Sequence, residues 1–175
     1  MLARDPLANP EVLIKRVHAY VAYRLGEGAE ADDVTSAVFE NAVRYRDTYD
    51  PWRGQPLPWL LGIARRCIAQ AVAGRLPGDV HAVEADVVGV TDLEGETVDR
   101  LTLQEALETL GEEDRELIAL RYGADLSTKK IAELVEKTPN AVDVAMHRAL
   151  ARLRGALEAP TPAPAETLDA AEGRV

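Results

Sequence analysis

Between Leu76 and Asp99 the chain carries seven acidic residues, no lysine or arginine, and no sustained apolar stripe. This interruption constrains the fold more than any other feature. A stretch that cannot bury enough apolar surface to offset its ordering entropy ends one packed unit before another begins. On either side of it apolar residues recur at helical spacing, so the chain is expected to be all-α: two small helical domains joined by a flexible acidic linker. The expected divisions are a domain over 1–75, the linker over 76–99, a second domain over 100–158 and a disordered tail over 159–175. That tail reads APTPAPAETLDAAEGRV, and alanine and proline with few large apolar groups cannot build a core.

Within the first domain, Asn9-Pro10 is a helix start with proline at the first position, leading into Leu13, Val17, Tyr20 and Val21 on one face. Gly26 is placed to end that helix. Asp32 and Asp33 suit a helix N-terminus, and Val34, Val38, Ala42 and Tyr45 continue a second amphipathic helix to about Arg46. The segment DTYDPWRGQPLP, 47–58, holds three prolines and a glycine and is expected to be a loop before a third helix over 59–75. Helix resumes at Arg100–Leu110, and again after Gly111 with Leu117, Ile118, Leu120 and Tyr122.

Charge and reactive residues exclude several functions. Twenty lysines and arginines against 30 acidic residues give a net charge of −10, so the molecule would not coat DNA by bulk electrostatics, and DNA binding must be local or assisted. One cysteine, Cys67, lies in an apolar helical pattern, which excludes an internal disulfide and fits a reducing compartment. No segment approaches the length of an apolar membrane span, so no membrane insertion and a cytoplasmic location are expected. His18, His81 and His147 are scattered, and no phosphate loop or metal-spaced ligand cluster occurs. Neither an enzyme nor a cofactor or metal is expected.

Residues Leu126–Arg154 carry the most specific local pattern. Ser127 is an expected N-cap, Ile131, Ala132, Leu134 and Val135 form the apolar side of a short helix, and Thr138-Pro139 starts another. Val142, Met146, Ala149 and Leu153 give that last helix an inner face. Two helices so joined are a helix-turn-helix, whose second helix offers its first turn to a major groove. Asn140, Ala141, Asp143 and Val144 are the candidates for base contact. His147, Arg148 and Arg152 lie where phosphate contact is easier. Lys129, Lys130 and Thr138 complete the candidate DNA surface. Asp143 is unusual there, since a carboxylate near phosphates costs energy, although it could accept from a cytosine amino group.

Taken together these motifs resemble the extracytoplasmic-function sigma factors of RNA polymerase, built from regions called 2 and 4. ADDVTSAVFENA is similar to the signature helix of region 2 through Asp32, Asp33, Val38, Phe39 and Ala42. PWLLGIARRCIAQ is similar to its tryptophan-containing helix through Trp59, Leu60, Ile63, Ala64 and Arg65. LETLGEEDRELIALRYGADLSTKKIAELV resembles region 4 through Leu110, Leu120, Arg121, Leu126, Ser127, Ile131, Ala132 and Glu133, with HRALARLR matching its ending. The chain departs from the family at Ser36 and Ala37, where glutamine and glutamate are usual, at Glu136-Lys137, where a turn glycine is usual, and at Asp143 and Ala145, where basic residues are common.

The resemblance implies a transcription initiation factor that binds core RNA polymerase and promoter DNA and is controlled by an anti-sigma factor. Region 2 would hold the polymerase and melt the minus-10 element; region 4 would read the minus-35 element. By position, Asp32, Asp33, Glu40 and Arg44 are the polymerase-binding candidates. Trp52, Arg53 and Gln55 match the loop that captures an unstacked base, which needs an enclosing pocket, polar groups and cations for flanking phosphates. Arg65 and Arg66 are candidates to hold the strand backbone. Two alternatives stay open: a stand-alone helix-turn-helix regulator, and a degenerate sigma-like adaptor without promoter recognition.

Overall fold

The computed structural model describes residues 5–74 and 102–158, and every regular element in them is helical. The expected linker and tail lie outside the described residues. The first domain comprises α1 (Pro10–Leu25), α2 (Ala29–Arg44) and α3 (Pro56–Gly74), with single helical turns at Arg46–Thr48 and Pro51–Arg53 between α2 and α3. The second comprises α4 (102–108), α5 (Glu112–Ile118), α6 (Thr128–Leu134) and α7 (Pro139–Glu158). None of the described helices is long and apolar enough to cross a membrane.

The local signals are expressed largely as the residues dictate. Pro10 opens α1, and Gly26, at φ 90°, closes it; a left-handed backbone is inexpensive for glycine alone. α3 starts at Pro56 rather than Trp59. Both Pro56 and Pro58 fall in its first turn, where the missing N–H groups would have no helical partner anyway. Ser127 caps α6 by accepting from the Lys130 amide. Thr138 accepts from the Ala141 amide at 3.2 Å to start α7.

The turn between α6 and α7 closes without glycine. Glu136 takes φ 56°, and the Lys137 amide donates to the Ala132 carbonyl at 3.0 Å, the long backbone bond that ends a helix over a left-handed residue. That conformation costs a non-glycine residue about 1 kcal/mol, offset here by the packing of the two helices it joins.

The two domains do not keep separate interiors. One cluster of buried side chains runs from Val17, Tyr20 and Val21 of α1 through Leu60, Leu61 and Ala64 of α3 to Leu117, Leu120, Leu126, Ile131 and Val142 of the second domain. A smaller cluster of Leu107, Leu110, Ile118 and Ala149 holds α4 on α5 and α7. α5 does not stop at Ile118 but widens into a π-helical turn, Ala119–Gly123, with the Ala124 amide reaching the Ala119 carbonyl at 2.9 Å. The turn brings Gly123 against the α1 backbone so closely that a β-carbon there would lie 2.8 Å from the Tyr20 α-carbon and 2.9 Å from the Ala19 carbonyl. Arg16 completes the junction by donating to the carbonyls of Ala124, at 2.8 and 2.5 Å, and Asp125, at 2.7 Å, placing a cation on the negative end of that helix.

Candidate nucleic-acid interface

The turn between α2 and α3 is built to leave an aromatic ring in solvent. Asp50 accepts from the Trp52 amide at 3.0 Å and so fixes the Pro51–Arg53 turn, while the Tyr49 hydroxyl donates to the Gly54 carbonyl at 2.7 Å. Trp59 packs partly into the core and meets the Tyr49 ring, centroids 5.5 Å apart. Trp52 is 89% exposed. Beside it, Thr48, Tyr49, Asp50, Gly54, Gln55, Pro58 and Trp59 line a cleft of about 350 Å³. Folding does not leave a large aromatic in water for its own stability, so a stacking surface next to a polar-rimmed cleft has the composition a flipped base requires. Arg66 is exposed on α3, whereas Arg65 is turned inward.

On α2, Asp33, Glu40 and Arg44 share one exposed stripe, set by the helical spacing of their positions, and Asp32 lies at its edge. Asp32 is engaged by His18 of α1, its Oδ1 lying 2.9 Å from Nε2. Ser36 falls on this same exposed side and Ala37 packs inward.

The outer face of α7 presents Asn140, Ala141, Asp143, Val144, His147 and Arg148 to solvent, while Val142 and Ala149 are buried. Asp143 has a structural partner: the Thr128 hydroxyl donates to its Oδ1 at 3.0 Å. The carboxylate therefore ties the start of α6 to α7, where it also meets a helix N-terminus. Arg152 of α7 pairs with Asp114 of α5, and Lys137 of the turn between α6 and α7 pairs with Glu113, so both tie the helix-turn-helix to α5. Lys129 is exposed.

Three of the candidate DNA residues meet across the domain boundary. The Lys130 ammonium of α6 donates to Gln55 Oε1 at 2.9 Å. Arg65 donates through Nε to Glu116 at 2.7 Å and through Nη1 to the Leu134 carbonyl at 3.3 Å. Glu116 is buried, and so is the charged end of Arg24 beside it, with side chains 11% and 8% exposed. The Glu116 carboxylate also takes the Tyr20 hydroxyl, at 2.8 and 3.0 Å from its two oxygens, and pairs with Arg24. Burial pushes the Tyr20 hydroxyl above the ordinary tyrosine range, against the lowering effect of the Arg24 and Arg65 charges.

None of Arg16, Tyr20, Arg24, Glu116 or Gly123 stands out in the sequence. Tyr20 reads as one more position on an apolar helix face, and Glu116 belongs to the run EEDRE, in which every carboxylate looks solvated. The helical period does place Glu116 beside Leu117 and Leu120, but only the approach of α1 and α3 makes it buried.

An all-helical protein with an aromatic-rimmed cleft in one domain and an outward-facing helix-turn-helix in the other is a nucleic-acid-reading protein by construction. Sigma-70 region 2 matches residues 11–75 and Sigma-70 region 4 matches residues 100–153. The chain is 33% identical over 156 residues to the ECF RNA polymerase sigma factor SigD of Mycobacterium tuberculosis, covering 82% of this chain and 70% of SigD. It is 28% identical over 142 residues to RNA polymerase sigma factor CarQ of Myxococcus xanthus, covering 79% and 81% of the two. The fold is shared with the sigma factor RpoE of Bartonella quintana, solved in complex with the anti-sigma factor NepR, at a TM-score of 0.64 and 20% identity over 83% of this chain and 92% of that one. It is likewise shared with CnrH, solved with the cytosolic domain of CnrY, at a TM-score of 0.60 and 20% identity over 86% and 82%. The chain belongs to the extracytoplasmic-function RNA polymerase sigma factors, the promoter-recognising class that carries both regions. The presence of region 2 as well as region 4 sets aside a stand-alone helix-turn-helix regulator.

Proposed function

We propose that this sigma factor binds core RNA polymerase through the exposed stripe of α2 and opens the minus-10 promoter element with the turn that carries Trp52. The single observation behind the melting assignment is the 89% exposure of Trp52 beside the Tyr49–Trp59 cleft. Trp52 would stack an unpaired base, Gln55 would meet a base edge, and Arg53, Arg65 and Arg66 would hold the flanking phosphates. Asp32, Asp33, Glu40 and Arg44 would orient the polymerase rather than supply most of the affinity, as exposed rim charges do.

The helix-turn-helix would read the minus-35 element through Asn140, Ala141 and Val144, with Lys129, Thr138, His147 and Arg148 towards the backbone. With Asp143 held by Thr128, its carboxylate needs no base partner, so its presence does not argue for an adaptor that has lost promoter recognition. Nucleotide addition belongs to the polymerase, and the contribution of this chain is differential binding, in the cytoplasm where the polymerase works. An anti-sigma protein is the natural regulatory partner, as for the structural relatives solved with NepR and CnrY.

The test is run-off transcription from genomic fragments by core polymerase with and without the protein, together with co-elution of the two. Co-elution and new discrete start sites are expected. Trp52→Ala should keep co-elution and lose open-complex formation; loss of both in parallel would remove the turn from the melting role.

A further inference from the structure

From Val43 to Gln55 the described residues are exposed with one exception, Tyr49, which is half-buried. The turn that presents Trp52 therefore has no apolar interior of its own. A β-carbon at Gly54 would meet nothing within 4 Å, so packing does not hold the far end of the turn either. Tyr49 spans this gap. Its ring lies against Trp59 of α3, centroids 5.5 Å apart, and its hydroxyl donates to the Gly54 carbonyl at 2.7 Å. Gly54 sits at φ 126°, a backbone region inexpensive for glycine alone. Asp50 and Pro51 set the form of the short helical turn inside this loop, but bonds between near neighbours do not fix its direction relative to α3. The link from Trp59 through Tyr49 to Gly54 does.

We propose that Tyr49 is a positioning residue for promoter opening: its ring and hydroxyl staple the Trp52 turn to α3 and hold it in a base-receiving shape before DNA arrives. The inference rests on the stacking role assigned above to Trp52. It gives Tyr49 no contact with DNA. A turn ordered in advance does not have to give up conformational freedom when it captures a base, so the staple raises affinity for the unpaired strand without adding a contact. Polymerase binding, assigned to the exposed stripe of α2, does not depend on it.

Tyr49→Phe keeps the ring and removes the donor hydroxyl. Gly54→Ala strains the same turn from its other end and leaves every hydrogen-bonding group in place. Order in the turn is read from the amide heteronuclear NOE of Trp52 and Arg53 in the full chain, with Leu60 and Leu61 of α3 as internal references. Capture is read as the affinity of the complex with core polymerase for a labelled single-stranded oligonucleotide, which carries the non-template strand upstream of a start site found by run-off transcription. Each affinity is measured in chains with Trp52 and with Trp52→Ala.

Both variants should lower the NOE at Trp52 and Arg53, keep it at Leu60 and Leu61, and co-elute with polymerase as the wild type does. Tyr49→Phe should weaken oligonucleotide binding about fivefold, the effect of one neutral hydrogen bond, and should weaken it no further once Trp52 is replaced by alanine. A wild-type NOE in Tyr49→Phe overturns the staple. Weaker binding with the NOE unchanged makes Tyr49 a DNA contact and overturns positioning. A disordered turn that binds as well as the wild type, or the same loss repeated in the Trp52→Ala chain, shows that Tyr49 does not act through Trp52 and overturns the proposal. Should Gly54→Ala disturb α3 as well, Tyr49→Phe decides alone. A failure of the function proposed above would register separately, as Trp52→Ala binding the oligonucleotide like the wild type or as an absence of start sites, and the NOE would still decide whether Tyr49 orders the turn.

Discussion

The two faces of the second domain are built on different principles. Its outer face, on α6 and α7, is made of short-range devices: Ser127 and Thr138 at helix starts, Glu136 at the turn, and Asp143 bonded to Thr128. Its inner face, on α5 and the π-helical turn, is made of long-range ones: Glu116 held from α1 and α3, Gly123 pressed on the α1 backbone, and Leu117 and Leu120 in the shared core. Removing an outer device should loosen one helix end. Removing an inner one should uncouple two domains, and the difference makes the inner face the place where a modest perturbation changes the shape of the whole molecule.

The largest expected effect comes from the shared core. Leu120→Ala should cost about 3 kcal/mol through lost burial and the cavity left behind. It should also split a single unfolding transition into two, read by calorimetry or denaturant titration. A single transition displaced by less than about 1 kcal/mol would show that the domains do not depend on this packing.

Two carboxylates three positions apart on α5, Glu113 and Glu116, sharpen the contrast. Glu116→Ala, which leaves Arg24 buried with part of its compensation gone, should cost about 3 kcal/mol. Glu113→Ala breaks only the exposed pair with Lys137 and should cost less than about 1 kcal/mol. Equal costs would erase the distinction between the two faces. On the outer face, Ser127→Ala should cost about 1 kcal/mol, with faster amide exchange confined to the first turn of α6.

The smallest effect is a pH dependence. The Tyr20 hydroxyl is pushed above its ordinary value of 10.0 mainly by burial, so the folded chain favours the neutral, proton-bearing form. Stability from this group is therefore complete below about pH 10 and is lost as pH rises towards the higher folded value. Tyr23, also raised chiefly by burial, acts in the same sense. Tyr20→Phe should flatten part of the decline above pH 10 and leave stability at pH 7–9 without slope from this residue.

Much of the architecture was legible in the residues because it is governed by near neighbours. Pro10 and Gly26 bound α1, Ser127 and Thr138-Pro139 set the two helices of the helix-turn-helix, and the apolar period placed Val17, Val38, Leu60 and Ile131 inside. Trp59 as a packing residue follows from Leu60 and Leu61 beside it, whereas the neighbours of Trp52 left packing and exposure equally open and only the structure places its ring in solvent. The limits lay where proline at 56 and 58 suggested loop but served as the first turn of α3, and where carboxylates were judged by composition.

The existence of most of the helices, the caps at Ser127 and Thr138, the helix-turn-helix and the two matched regions were determined by the sequence alone, because each depends on interactions within a few residues and on a period that burial imposes locally. The assignment of partners across the junction was decided only by the tertiary structure: Glu116 with Tyr20, Arg24 and Arg65, Lys130 with Gln55, Gly123 with α1. A carboxylate in EEDRE has no local property that marks it for burial. Its environment is set by side chains 51 and 96 residues away in the chain, and desolvation, which gives the interaction its strength, exists only once those surfaces meet.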